Sequence, residues 1–484
     1  MNLFQNGLQL IEKRTIIFTN FSGGGSVVKR VKKHQSSMLE GPLLSGVILY
    51  TIPIIMTSVL QLLFNAADLI VVGKFCGSVS VGAVGATSSL TSLLVNLFVG
   101  LSIGAGVTVA HGIGSRDDEQ ISNAVHTALP LALLSGVILT VVGVTLSGPM
   151  LILMGTPENT LPLSTVYMRI YFSGITFTVV YNFSAAILRA AGDTRSPLIF
   201  LTLAGVINVI LNIIFVTVFH MNVAGVALAT TISQGVAAVL VVRALMRRTD
   251  NCRLELRKMR FHKNQLQKII RIGLPAGIQS SLFAISNVLI QSSINSFGDV
   301  FVSGNAAAAN VESFLYATVN SFHQTTVNYV GQNVGARQYR RANNTVWICQ
   351  SCVLVVGLAM SISIWSFGET LLGIYISDSP EAISYGMIRF LYVTLPYVLL
   401  GLLDVSTGAL RGYGQSLMPM LISVLGICGI RVLWVCTVFQ LPAFHTPQWL
   451  YISYPISWIV TLTAQTILFL RIRNRYLNYN PVDV

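Results

Sequence analysis

Asp68, Asn208, Asn212 and Thr230 are the side chains of this 484-residue sequence whose types and spacing could do chemistry together. Each lies in a long apolar run. A carboxylate inside a membrane-crossing run costs roughly 2.5–3.5 kcal/mol on insertion scales, so Asp68 needs a reason to be there. Asn208 and Asn212 are four apart and share one helix face. At ~1.5 Å of rise per residue, Asp68 falls about 8 Å below the outer surface, Thr230 about 9 Å and the two asparagines about 10–17 Å. Four polar groups at similar depth could supply hard oxygen ligands for Na⁺, or hold a carboxylate that takes a proton. The plain alternatives are an aspartate reaching interfacial water and interhelical hydrogen bonds worth about 0.6 kcal/mol each. Pro53 lies about four turns below Asp68. It removes one backbone hydrogen bond, which makes it either a hinge or a static kink.

Other polar groups fall in apolar runs too. Gln61, Asn65, Asn182, Gln279, Asn287 and Asp404 are candidates to line a cavity. Asp404 could instead be a packing residue bonded to a neighbouring helix. Glu312 and Arg431 both lie about 12–14 Å below the outer surface. Equal depth predicts a buried ion pair, with direct substrate contact as the alternative. His111, at the end of its run, suits a structural hydrogen bond. Cys349 and Cys352 have no second pair or nearby His to complete a metal site, and read as packing residues. No G-x-x-x-x-G-K-[ST] loop is present, so an ion gradient is the more economical energy source than ATP.

The elements that must position these groups are membrane spans. Hydrophobic residues make up 53% of the chain, charged residues 10%, and the mean hydropathy is +0.70, values outside the soluble globular range. Apolar runs at about 46–73, 82–110, 123–149, 164–189, 196–219 and 224–246, then 267–297, 303–331, 345–373, 383–410, 417–439 and 447–471, predict twelve helices in two groups of six. The net charge of +13 sits mainly in the N-terminal tail and in alternate loops. That pattern argues against nucleic acid and places both termini in the cytoplasm. Residues 1–37 read as a basic, disordered tail, and Met38 as a natural start. Residues 38–246 form a first lobe, 247–266 a cytoplasmic basic linker, 267–474 a second lobe and 475–484 a tail.

The two groups repeat. Pro53 matches Pro275, Asn65 matches Asn287, Gly114 matches Gly335, Arg189 matches Arg411 and Pro197 matches Pro419, always 221 or 222 residues apart. With six helices in each half the repeats run parallel, an arrangement in which transporters bind substrate between halves. The cluster around Asp68 is not duplicated: Ile290, Ile430 and Trp434 stand at the equivalents of Asp68, Asn208 and Asn212.

The chain resembles the MATE (multidrug and toxic compound extrusion) transporters, and their DinF-like branch more than the NorM-like one. The likeness covers about residues 38–474. It rests on MLEGP at 38–42, Pro53-x14-Asp68 with Gln61-x3-Asn65-x2-Asp68, and VGK-x-x-G at 72–77. LRAAGDTRSP (188–197), its partner LRGYGQSLMP (410–419), Asn208-x3-Asn212 and GQNVGA (331–336) complete it. The resemblance implies an all-α, V-shaped pair of six-helix lobes, alternating access, and efflux of cationic amphipathic compounds in exchange for H⁺ or Na⁺. It implies an ion site at Asp68, Asn208, Asn212 and Thr230. Many members carry Asp where Asn212 stands, and a single carboxylate favours a proton over a tightly held Na⁺. The NorM-like acid of helix 7 has no match here.

The expectation is therefore a multi-pass antiporter of the bacterial inner membrane. It is expected to be monomeric and without cofactor, neither an enzyme nor a nucleic-acid binder, with the bilayer and small organic cations as partners. A lipid-linked oligosaccharide flippase is the alternative. The scarcity of Arg and Lys away from the helix ends argues against an anionic substrate of that kind.

Overall fold

The computed structural model describes residues 38–376 and 379–479. The expected tail over residues 1–37 lies outside them. Every described element is helical, and the long helices follow the expected spans closely. In chain order they are α1 Leu43–Cys76, α2 Ser78–Ser115, α3 Asp118–Leu153, α4 Leu161–Ser173 with Ile175–Ala190, α5 Arg195–Val218 and α6 Asn222–Met246. The second half supplies α7 Lys263–Asn295, α8 Asp299–Gly335, α9 Tyr339–Ser366, α10 Pro380–Gly412, α11 Leu417–Gln440 and α12 Pro447–Tyr479. Ten of these are long and apolar enough to cross a membrane, and α4, bent by 46° at Gly174, makes eleven. The twelfth, α8, is as long as its neighbours but more polar. It buries Asn305, Glu312 and His323 inside the second half, and Gln332 where the two halves meet. The expected C-terminal tail is helical as far as Tyr479, a continuation of α12.

The repeat is written into the backbone. Left-handed residues fall at Gly77 and Gly298, at Arg116 and Arg337, and at Gly192 and Gly414, the same offset seen in the sequence. Arg116 and Arg337 stop α2 and α8 in the left-handed conformation that commonly ends helices, though Gly usually takes that place. The helices that follow are started by side chains. Asp117 accepts from Gln120 N at 2.8 Å to cap α3, and Asp193 accepts from Ser196 N at 3.0 Å at the start of α5.

α1 belongs to both halves. Its first turns bury Val47, Tyr50 and Ile54 in the apolar core of the second half, where Tyr50 packs edge-on against Tyr329 and Thr51 bonds Thr325 at 2.8 Å. Its last turns bury Val71 and Val72 against Val216, Val223 and Val226 of the first half. Pro53 sits at the end of the first attachment, just before Ile54.

Elsewhere the halves meet along a glycine seam between α2 and α7. A Cβ on Gly100 would lie 2.1 Å from Gly277 N, and one on Gly273 2.6 Å from Leu101 Cα, so side chains there would force the helices apart. The seam lies towards the end of the bundle that carries the exposed arginines, here called the basic end. The bond from Ser281 Oγ to Leu93 O (3.0 Å) is the cross-half hydrogen bond farthest from that end among the described residues.

The basic linker differs from expectation. α7 starts at Lys263, and residues 247–262 are fastened to α3. Arg260 N donates to His126 O (3.3 Å), Glu255 N to His126 Nε2 (3.0 Å) and His262 N to Thr127 Oγ1 (3.1 Å). Cys252 and Leu254 are buried in the first-half core. Within the linker, burial raises the Asp250 carboxyl, but the bonded Arg248 guanidinium outweighs it and holds the group below its usual range.

Candidate functional site

The four residues singled out at the far end of the first half come together. Asp68 reaches from α1 towards Asn208 and Asn212 on α5 and Thr230 on α6. Asn212 Nδ2 donates to Asp68 Oδ1 and also lies 3.3 Å from Asn208 Oδ1. Asn208 Nδ2 donates to Thr230 Oγ1 at 3.3 Å. Thr230 Oγ1 lies 3.4 Å from Asp68 Oδ2 and 3.0 Å from Val226 O, so its one proton can serve either. Asn208 and Asn212 are buried, Asp68 half-buried. Asn212 Oδ1 is buried with no partner among the described residues. The cluster therefore holds one carboxylate, two donors directed at it, and one free acceptor beside it.

Gly205 makes this approach possible. It stands one turn before Asn208 on α5, and a Cβ there would fall 1.8 Å from the Phe64 ring of α1. Phe64 is one turn before Asp68, so the missing side chain brings the carboxylate to the asparagines. A π-helical turn, Ile214–Val218, follows Asn212 and shifts the helix face just beyond the cluster.

The cavity candidates separate into two groups. Gln61 and Asn65 on α1 and Asn287 on α7 are exposed, on stretches beyond the level of Ser281. Asn182 is half-buried and donates to Thr178 O within its own helix. Gln279 is buried and accepts from Arg411 Nη2 at 2.9 Å. Arg411 stands in the last turn of α10, is 5% exposed and points inward, so it is not a loop charge. Its Nη1 donates to His323 Nε2 (3.2 Å), and His323 Nδ1 donates to the Asp404 backbone O (2.7 Å), which defines a neutral imidazole. Asp404 Oδ2 and Arg411 Nε are buried and take no partner among the described residues.

The expected ion pair between Glu312 and Arg431 is not formed. Glu312 pairs with Arg389 of α10: Oε2 accepts from Nη2 at 2.6 Å and Oε1 from Nε at 3.1 Å. Thr394 Oγ1 donates to Oε1 at 2.6 Å, and Arg389 Nη1 donates to Asn305 Oδ1 at 2.7 Å. Arg431 instead lies 3.9 Å over the Tyr454 ring and donates from Nε to Ser457 Oγ at 3.0 Å. Arg389, nine residues into α10, lies at about the same ~14 Å depth, and only the helix rotation selects it. Asn305 and His323 were missed. Both are ordinary polar residues in a polar helix, with no spacing signal.

Comparisons with known proteins agree with the repeat. The family profile MatE matches residues 53–214 and 275–436, two stretches that together span well over half of the chain. A probable multidrug resistance protein, YpnP of Bacillus subtilis, is 27% identical over 392 residues, 81% of this chain and 87% of that protein. A FAD transporter of Shewanella oneidensis is 24% identical over 408 residues, 83% of this chain and 88% of that one. A solved multidrug resistance MATE transporter in an outward-facing conformation superposes with a TM-score of 0.83 at 21% identity, covering 91% of this chain and 98% of that one. The twelve-helix fold in two repeated halves is thus shared with solved MATE structures. With its two matched halves and the motifs at their equivalent ends, the chain is a multi-pass membrane protein and belongs to the MatE family.

Proposed function

We propose that the protein is a secondary antiporter that exports cationic amphipathic compounds across the bacterial inner membrane in exchange for protons. The observation that carries the reading is the cluster in which one carboxylate, Asp68, accepts from Asn212 and has a second amide oxygen, Asn212 Oδ1, unpartnered beside it. A protonated Asp68 becomes a donor, and Asn212 Oδ1 is there to receive its hydrogen. The site thus has a hydrogen-bond arrangement for each protonation state. Proton loading would rearrange the far end of α1. Because the near end of α1 as far as Ile54 is built into the other half and its far end into the first, a bend at Pro53 would be felt by both halves. The basic end is the cytoplasmic one on this reading, by the distribution of arginine and lysine. The structure then corresponds to a state closed to the cytoplasm. Gln61, Asn65 and Asn287 would line the open cleft.

The test is efflux of a fluorescent organic cation such as ethidium from proteoliposomes, with pH and Na⁺ gradients imposed separately. A pH gradient alone should drive wild-type efflux, and Asp68→Asn should abolish it while leaving dye binding in place. Undiminished gradient-driven efflux by purified Asp68→Asn would sink the proposal. Efflux driven by Na⁺ alone would make the five side-chain oxygens of Asp68, Asn208, Asn212 and Thr230 ligands instead. A second reading, export of an organic anion, is favoured by Arg411. Among the described residues its guanidinium has no carboxylate within salt-bridge distance and bonds only Gln279 and His323. The Shewanella relative named as a FAD transporter belongs with that reading. An anionic dye in the same vesicles separates the two.

A further inference from the structure

We infer that His111 and Gln332 form a reciprocal clasp that holds the two halves together at the basic end and acts as the inner gate of transport. The inference rests on the alternating-access reading above. His111 stands near the end of α2, and its Nε2 donates to Gly412 O at 2.7 Å, the last residue of α10 in the other half. Gln332 stands at the equivalent place on α8, and its Nε2 donates to Ala190 O at 2.6 Å, the last residue of α4. His111 and Gln332 are repeat partners, as are Ala190 and Gly412. Each half thus extends one side-chain donor to the same helix end of the other.

The acceptors explain why this contact can open and close. The last carbonyls of a helix have no intrahelical partner, and they form the negative end of its dipole. Neither Ala190 O nor Gly412 O accepts a backbone N–H among the described residues. In the closed state the other half supplies the donor. In an open state water at the membrane surface can take its place, so neither carbonyl is stranded.

The backbone makes the same reciprocal approach. A Cβ on Gly114 would lie 2.0 Å from Gln332 O, and one on its repeat partner Gly335 would lie 2.3 Å from His111 O. Both glycines therefore allow the halves to close until the two donors reach. Any side chain at either position would hold the halves apart at the level of the clasp. His and Gln do one job here. Each presents an N–H at the end of a side chain of similar reach, and Gly412 O accepts only, so His111 Nε2 must carry hydrogen.

The test is a distance measurement across the basic end that needs no substrate. Spin labels at Arg195→Cys and Arg340→Cys, one in each half and both exposed, in a background without other cysteines, would report the separation in nanodiscs. Wild-type protein should show mainly the short distance of the closed state. His111→Ala with Gln332→Ala should raise the ratio of long to short distance by roughly tenfold, since each net hydrogen bond contributes modestly. Each single alanine variant should give roughly threefold, which keeps the test usable if the double variant does not fold. Gly114→Ala should open the same distance by collision, and His111→Gln should match wild type because it copies the other half. An unchanged distribution in the folded alanine variants, or a His111→Gln variant as open as His111→Ala, overturns the clasp. Failure of wild-type efflux would sink the antiporter reading and leave this readout intact, so the two can fail separately.

Discussion

Removing Glu312 should expose the electrostatic framework of the second half. The carboxylate is 4% exposed and takes four hydrogen bonds from Arg389 and Thr394, while Arg389 is itself 8% exposed. Glu312→Ala would leave the Arg389 guanidinium buried, with only Asn305 Oδ1 and the Tyr451 and Tyr454 rings, at 5.6 and 5.8 Å, to stabilise it. Breaking a buried pair in this way costs about 3–5 kcal/mol, much of it the isolated charge. Arg431 makes a different case. It has one hydrogen bond, worth about 1 kcal/mol, and lies 3.9 Å over the Tyr454 ring and 5.5 Å over the Trp458 ring, worth about 2 kcal/mol, and its removal also takes away a buried charge that has no carboxylate partner among the described residues. Arg431→Met should therefore cost less than Arg389→Met. The discriminating measurement is a pair of double-mutant cycles, read by unfolding in mixed micelles titrated with SDS. Glu312 with Arg389 should couple by about 2–3 kcal/mol, and Glu312 with Arg431 by under about 1 kcal/mol. A stronger coupling to Arg431 than to Arg389 would refute this assignment and restore the pairing expected from depth alone.

Two more outcomes follow from the first half. Asn212→Asp places a second carboxylate beside Asp68 and should tighten Na⁺ binding by roughly tenfold, so that a Na⁺ gradient begins to drive efflux; isothermal titration with NaCl that shows no change contradicts the role given to the single carboxylate. Gly205→Ala should destabilise the protein by about 1–3 kcal/mol, because its Cβ would meet the Phe64 ring at 1.8 Å, and adding Phe64→Ala should recover part of the loss. Unaltered stability in Gly205→Ala would show that the close approach of α1 and α5 is not what positions Asp68.

The sequence alone determined the spans, the repeat and the depth of each polar group. These are one-dimensional quantities. A bilayer of fixed thickness sets how long an apolar run must be, and a fixed rise per residue turns position into depth. Hence α1 to α12 were legible, even where α8 is too polar for a hydropathy test, because its ends were marked by its neighbours and its repeat partner. The Asp68 cluster was legible for the same reason, helped by the spacing of four that puts Asn208 and Asn212 on one face.

Only the tertiary structure decided direction. Depth offered Glu312 two arginines at one level, and the rotation of α10 against α8 chose Arg389. Arg411 was legible only as the repeat partner of Arg189; its long side chain turns back into the bundle to reach Gln279 and His323. The pairing of His111 with Gly412 and of Gln332 with Ala190 joins residues 301 and 142 positions apart. Nothing in a single chain's periodicity records such a partner. It exists only because two parallel copies of one half-sequence meet face to face, each bringing the same donor to the other's unsatisfied helix end.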